Sequence, residues 1–144
     1  INDTSTAHMS IVIVTIWRTL GYCVVVYLGA IQNISEEIIE AAHIDGANAW
    51  QTTWKITMPL VSPTTFMLLI LQTISIMKLF TTIENMTGGG PGNATANLPM
   101  MLYDYAFSRY QMGYASAIAY TLFAIIMVIT LIQFVLQKKW VNYD

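Results

Sequence analysis

The sequence has 144 residues, enough for one domain, but 56% of them are hydrophobic and only 10% are charged, against about 25% charged residues in soluble proteins. The formal net charge of -2 excludes a basic nucleic-acid-binding protein, and the hydrophobicity excludes a disordered chain. The single cysteine excludes a disulfide framework and a multi-cysteine zinc site.

Three apolar runs of bilayer length separate the charged clusters. They cover residues 10–31, 64–83 and 114–136, and the charges inside them are Arg18 in the first and Lys78 in the second. A helix rises about 1.5 Å per residue, so each run spans roughly 30 Å or more, the thickness of the hydrocarbon layer. We therefore predict an all-α, polytopic transmembrane helical bundle with three transmembrane helices.

The segments between the runs predict the orientation. Lys138 and Lys139 directly follow the third run, and basic residues favour the cytoplasmic side. The tail at 137–144 and the loop between the first two runs are then cytoplasmic, and the loop at 84–113 is extracytoplasmic. Because the chain begins just before an apolar run and without Met, we expect it to be a piece of a longer protein.

Two basic residues lie within the runs. Arg18 is about 12 Å in from Ser10 by helical rise. Either the true span starts later and Arg18 reaches the outer interface, or its guanidinium faces protein, water or a partner. Lys78 lies near the outer end of its run and can extend outward to water.

Each run also carries polar side chains at helical spacing. The three sets are Thr15, Arg18, Thr19 and Tyr22; Thr65, Gln72, Ser75 and Thr82; and Ser116, Tyr120, Thr130 and Gln137. Polar groups avoid lipid, so these sets face other helices or a water-filled cavity. They serve either as hydrogen bonds between helices or as a lining for a polar solute, for which Gln72, Ser75 and Tyr120 are the candidates. We predict no catalytic pair and no metal site.

The loop at 35–59 is predicted to hold two short helices. Ser35 can cap the first, which runs from Glu36 to Asp45, and Gly46 is a natural stop. Asn48 and Gln51 can begin the second, with Trp50 and Trp54 on one face. Proline lacks the donor that helix continuation needs, so Pro59 and Pro63 are predicted to end this helix before the second span.

The surface of this loop favours a protein partner. Ala41 and Ala42 give a shallow side that another protein can approach closely, and Glu40 and Asp45 place charge at its edges. A helix lying on lipid usually has Lys and Arg on its polar face, whereas this polar face is acidic.

These residues resemble the EAA loop of bacterial ABC importer permeases, whose pattern is Glu-Ala-Ala, three residues, Gly, nine residues, Ile, one residue and Leu-Pro. The matching positions are Glu40, Ala41, Ala42, Gly46, Ile56 and Pro59, and Met58 replaces the usual Leu. Asp45 before the glycine, with Trp50-Gln51 after it, is similar to the carbohydrate-uptake branch. A second block at 87–117, with Gly88-Gly89-Gly90-Pro91, resembles the outer loop and last span of sugar permeases, especially the first maltose-type or multiple-sugar permease.

The resemblance implies a complete permease of about six spans, of which this chain holds the last three, in the bacterial plasma membrane. It implies four partners: an ABC ATPase dimer, a second permease subunit, an extracytoplasmic solute-binding protein and a sugar or polyol substrate. The coupling residues would be Glu40, Ala41, Ala42, Asp45, Gly46, Ile56 and Pro59. ATP would bind to the ATPase, and this chain would bind no cofactor itself.

Two other functions stay open at this stage. A membrane-embedded transferase would need acidic, His or Cys groups gathered at one membrane face, and only the acids of the inner loop are candidates. A scaffold subunit without a pathway is the second. The segment 88–92 is glycine-rich but lacks the Lys-Ser/Thr of a P-loop, so we predict a turn.

Overall fold

The computed structural model describes residues 3–138 and residue 141, which form helices and turns with no β-strand among them. The helices are α1 Thr4–Gln32, α2 Glu36–Ile44, α3 Ala49–Thr52, α4 Met58–Leu60, α5 Ser62–Met77, α6 Thr81–Thr87, α7 Leu98–Tyr103 and α8 Met112–Gln137. π-Helical turns follow α3 at Thr53–Thr57 and α7 at Asp104–Ser108. The predicted all-α class is confirmed. The predictions that rest on Lys139 and on the end of the tail lie outside the described residues.

Within the described residues, two helices are each long and apolar enough to cross a membrane, α1 with 29 residues and α8 with 26. Helix α5 reaches that length only together with the preceding segment Ala49–Leu60, from which it is bent by 59°. Large apolar side chains on both long helices, such as Trp17 at 81% and Val135 at 70%, are exposed. Lipid or further helices must cover these side chains, because exposing so much apolar surface to water is unfavourable.

Helix α5 packs against α1 on one side. The Tyr27 hydroxyl donates to Thr65 Oγ1 at 2.9 Å, and the Gln72 amide nitrogen lies 3.9 Å from Cys23 Sγ. The contact position moves back along α1 as it moves forward along α5, so the two helices are antiparallel.

Helix α8 packs against a neighbouring face of α5. The Phe66 and Phe134 rings meet edge to face with centroids 5.3 Å apart, an arrangement that aromatic pairs favour. Gln133 Nε2 donates to Thr73 Oγ1 at 2.8 Å. Helix α5 is thus the central element of the three.

The second apolar run does not form one helix through residue 83, as the sequence predicts, because α5 ends at Met77. The chain turns at Lys78 and Leu79 and resumes as α6 at Thr81. The side-chain amide of Asn97 donates to the carbonyl of Leu79. A distant residue therefore satisfies a carbonyl group that the interrupted helix leaves without an intrahelical partner.

Pro59 does not end the second short helix of the loop, which corrects the sequence prediction. The helical backbone passes through Pro59 to Leu60, and the break falls at Val61. A π-helical turn precedes the proline, with the Met58 N–H bonded to the Thr53 carbonyl, so Pro59 occupies the first turn of α4, where its missing donor is tolerated. Pro63 likewise lies in the first turn of α5.

The end of the bundle near α6 has a small apolar core of Ile11, Leu79 and Ile83, against which Met86 and Met100 pack. The adjoining segment 88–92 forms turns, as predicted. The buried Thr95 hydroxyl donates to the Gly90 carbonyl at 2.9 Å. This contact ties the glycine-rich segment to the chain that leads into α7.

Candidate functional site

The break between the two loop helices is a defined Schellman turn. Gly46 has φ of +81°, its N–H bonds to the His43 carbonyl at 3.0 Å, and the Ala47 N–H bonds to the Ala42 carbonyl at 2.9 Å. These two bonds satisfy carbonyl groups at the end of α2. The predicted role of Gly46 as a helix stop is confirmed, because glycine adopts positive φ without the steric cost of a Cβ atom.

The two loop helices begin differently, α2 at Ser35 and α3 at Asn48. Ser35 occupies the N-cap position of α2, but its side chain makes no capping hydrogen bond. Asn48 caps α3 fully: its Oδ1 accepts from the Gln51 N–H at 2.9 Å, while Gln51 Oε1 accepts from the Asn48 N–H at 3.0 Å. This capping box fixes the direction in which the chain leaves the Gly46 turn.

The structure divides the residues of the EAA pattern by exposure. Glu40, Ala41, Asp45 and Gly46 are exposed, Ile56 and Pro59 are partly buried, and Ala42 is only 6% exposed. Of the two alanines that the sequence predicts to form a shallow docking side, only Ala41 offers surface. Ala42 is small for a different reason, since it is enclosed by this chain itself.

A cavity of about 480 Å³ joins the loop to the end of the first long helix. Ile31 and Gln32 of α1, Glu36 and Glu40 of α2, and Thr57 of the π-helical turn are among its lining residues. Glu40 therefore lies where α1, α2 and the π-helical turn after α3 meet. A force applied to α2 at this point acts close to the end of α1.

The second loop helix carries an exposed aromatic pair. The ring centroids of Trp50 and Trp54 are 5.5 Å apart, and the two side chains are 71% and 51% exposed. The predicted placement on one face is confirmed. Such a pair gives this side of the loop a large apolar surface beside the acidic helix α2.

Two adjoining depressions between α1 and the C-terminal half of α5 contain two of the three predicted pathway residues. Gln72 and Ser75 line one of them together with Arg18 and Tyr22. Tyr120 of α8 lines neither depression, and its side chain is 75% exposed. The structure thus brings Gln72 and Ser75 together and leaves Tyr120 apart.

Several polar contacts between the long helices involve residues that sequence reasoning missed. Tyr27, Cys23, Thr73 and Gln133 each contact a side chain of a neighbouring helix. For Gln133 the available signal was its spacing of three residues from Thr130 and four from Gln137, both members of the third polar set, and for Thr73 it was a polar residue within an apolar run. These contacts show that part of the polar lining is hydrogen bonding between helices.

Comparison with known proteins identifies the family. Residues 2–142 match the family described as "Binding-protein-dependent transport system inner membrane component". The chain is 38% identical over 134 residues to the multiple sugar-binding transport system permease protein MsmF of Streptococcus mutans, covering 93% of this chain and 46% of that protein. It is 37% identical over 139 residues to the probable starch degradation products transport system permease protein AmyD of Thermoanaerobacterium thermosulfurigenes, covering 96% and 48%.

A third relative is named for a phosphorylated solute. The chain is 36% identical over 138 residues to the sn-glycerol-3-phosphate transport system permease protein UgpA of Rhizobium meliloti, covering 95% of this chain and 47% of that protein. The chain thus spans about half the length of these curated relatives. The family match extends over nearly all the residues and includes the EAA loop. This chain belongs to the family of binding-protein-dependent transport system inner membrane components, and it is a membrane-embedded protein.

Proposed function

We propose that the chain is part of a permease subunit of an ATP-driven importer, and that its loop at 35–59 couples the membrane helices to a separate ATPase. The observation that carries this proposal is the construction of the loop. Two short helices meet at a defined turn at Gly46, and Glu40 lies in the cavity that joins them to the end of α1.

The physical role of such a loop is that of a rigid connector. The capping box at Asn48 and the Schellman turn at Gly46 hold the two helices at a fixed angle, and helical backbone continues from Ala49 to Leu60 before the bend into α5. When an ATPase dimer bound to α2 closes, it would move the C-terminal end of α1 and the N-terminal end of α5 together. Such a movement fits rigid-body rocking of membrane helices around a central pathway.

The exposed side of the loop supports docking to a protein. Glu40, Ala41 and Asp45 are exposed on α2 and at its end, and Trp50 adds a large apolar side chain. A surface that combines charge with aromatic side chains is typical of protein interfaces. The loop and the C-terminus are then cytoplasmic, ATP hydrolysis belongs to the partner, and a solute-binding protein and a second permease complete the importer.

The solute is proposed to be a sugar or a related polyol. Relatives named for multiple sugars, for starch degradation products and for glycerol phosphate are similar to this chain at nearly equal identity. Gln72 and Ser75 supply amide and hydroxyl groups to the depression between α1 and α5. Such groups exchange hydrogen bonds with the hydroxyl groups of a polyhydroxylated solute.

Reversing the charge of Glu40 is the test of coupling. In the complete importer with both permeases, ATPase and binding protein, we expect Glu40→Lys to lower uptake about tenfold or more, since a lost charge contact at a protein interface has an effect of this size. The amount of ATPase retained on the membrane should fall in parallel. Radiolabelled solute uptake and immunoblotting of membrane-bound ATPase measure the two effects.

Glu37→Lys is the matched control. Glu37 is exposed on the same helix but is absent from the cavity that Glu40 lines, so the same charge reversal there should leave uptake within about twofold of wild type. Normal uptake and normal ATPase retention in Glu40→Lys would remove the coupling role.

A further inference from the structure

Two exposed basic side chains face the same groove between α1 and the C-terminal end of α5. One depression is lined by Arg18 and Lys78 with Ser75 and Thr82, and the next by Arg18 with Tyr22, Gln72 and Ser75. Their volumes are about 400 and 410 Å³, within the range of small-molecule sites. Because they share Arg18, Leu71 and Ser75, we describe them together as the Arg18 groove.

The two cations of the Arg18 groove have no carboxylate partner among the described residues. Among the described residues, the one ion pair joins Arg109 to Asp104 at 2.7 Å, outside the Arg18 groove at the π-helical turn after α7. Arg18 Nη1 donates to Thr82 Oγ1 at a long 3.4 Å, so most of its five donors remain open to the groove. Lys78 follows the last residue of α5, where the helix dipole favours a cation. The dipole of α5 does not explain why Arg18 lines the same depression.

The position of Arg18 makes this arrangement costly unless something binds to it. Arg18 is the middle residue of the 29-residue helix α1, and its side chain turns toward Thr82 of α6. An arginine within a transmembrane helix faces a partner, a water-filled cavity or the membrane interface, and the first two mark a solute or ion path. A second cation in the same groove adds repulsion, which an anion between the two would relieve.

We propose that the Arg18 groove binds an anionic group, a phosphate or a carboxylate, carried by the transported solute. The guanidinium of Arg18 provides bidentate hydrogen bonds to that group, and Lys78 contributes a point charge. Gln72 and Ser75 bind hydroxyl groups on the remainder of the solute. This inference rests on the proposed function and narrows the solute from sugars and polyols in general to their acidic or phosphorylated members.

The test uses matched probes that differ in charge. Binding of radiolabelled sn-glycerol 3-phosphate against glycerol, and of galacturonate against galactose, is measured by equilibrium dialysis on the complete permease–ATPase complex in nanodiscs. We expect the charged member of each pair to bind about tenfold more tightly or better, since hydrogen bonds to charged groups are worth this much after desolvation. Arg18→Gln and Lys78→Gln should each remove most of that preference, and Arg18→Lys should keep part of it.

Arg109→Gln is the matched control, because Arg109 is a cation that Asp104 already pairs outside the groove; the charge preference should be unchanged in this variant. Equal binding of charged and neutral probes in the wild type would overturn the inference. So would a preference that persists in the Arg18→Gln, Lys78→Gln double variant. A change in co-purified phospholipid in that double variant, without any change in probe binding, would assign the groove to lipid phosphate and also overturn it.

Failure of this inference is distinguishable from failure of the proposed function. Dialysis reports the charge preference of the groove whether or not the complex transports. ATP-driven uptake of a neutral sugar that is insensitive to Arg18→Gln would contradict the anion site and leave the importer assignment intact. Absence of ATP-driven uptake for all four probes and for neutral oligosaccharides would count against the importer assignment alone.

Discussion

Replacing Gly46 with valine should strongly lower solute uptake by the complete importer. Gly46 has φ of +81°, a conformation that costs a non-glycine residue about 1–2 kcal/mol and is least tolerated by a β-branched side chain. No atom other than those of the adjoining residues lies within 4 Å of a Cβ placed there, so the effect comes from the backbone and not from a clash. We expect uptake to fall about tenfold or more, because a shift of about an ångström in a positioning element can cost about a hundredfold in rate.

Two substitutions control for this effect. Asn tolerates the left-handed region better than other residues, so Gly46→Asn should retain most of the uptake. Gly21→Val introduces the same side chain in the interior of α1, where no atom outside the adjoining residues and the helix's own backbone lies within 4 Å of the new Cβ. If Gly46→Val and the wild type show equal uptake at equal membrane abundance, the turn at Gly46 does not position α2 for docking.

Truncating Phe66 should have the largest effect on the stability of the bundle. Phe66 is 5% exposed on α5 and meets Phe134 of α8 edge to face. In soluble cores Phe→Ala costs about 3–5 kcal/mol, but lipid is as apolar as a protein core, which removes much of the transfer contribution and leaves the lost packing. We therefore expect Phe66→Ala to lower the free energy of unfolding by about 2 kcal/mol.

Reversible unfolding of the full-length permease in mixed detergent micelles measures this change. Phe66→Leu restores part of the volume and should cost less than about 1.5 kcal/mol. Equal stability of Phe66→Ala and wild type would contradict the conclusion that the Phe66–Phe134 contact holds α5 against α8.

Local sequence signals predicted the local structure of the loop at 35–59 well. Gly46 was identifiable because few other residues end a helix with positive φ, and the Asn48–Gln51 pair because a capping box uses residues three apart. Trp50 and Trp54 were identifiable from the i, i+4 spacing. All three features depend on residues within one or two helical turns, where sequence and conformation are directly linked.

Features that depend on tertiary contacts were not visible in the sequence. The interruption after Met77 involves Asn97, which lies eighteen residues beyond the Leu79 carbonyl it contacts. The enclosure of Ala42 and the position of Tyr120 away from the Arg18 groove depend on how whole helices are rotated against one another. Hydrophobic periodicity predicts that a polar side faces protein or water, but it does not say which helix provides the neighbour.

The two π-helical turns were also missed, and one of them changed the interpretation of Pro59. A proline after an apolar helical segment predicts a helix end when the preceding turn is α-helical. The π-helical turn at Thr53–Thr57 alters the hydrogen-bonding pattern directly before Pro59, and the backbone stays helical through it. Local composition does not distinguish this case from an ordinary helix end.

Cross-linking from Ala41 is the sharpest test of whether the loop at 35–59 docks on a cytoplasmic ATPase. Ala41 is exposed on α2, so Ala41→Cys in a Cys23→Ser background places a reactive thiol on the proposed docking surface. In cells that express the complete importer, a short thiol-to-amine cross-linker should join this cysteine to the ATPase subunit, with a yield that changes when ATP is bound. Labelling of the same cysteine by a membrane-impermeant maleimide added outside intact cells, with no ATPase adduct, would contradict the account.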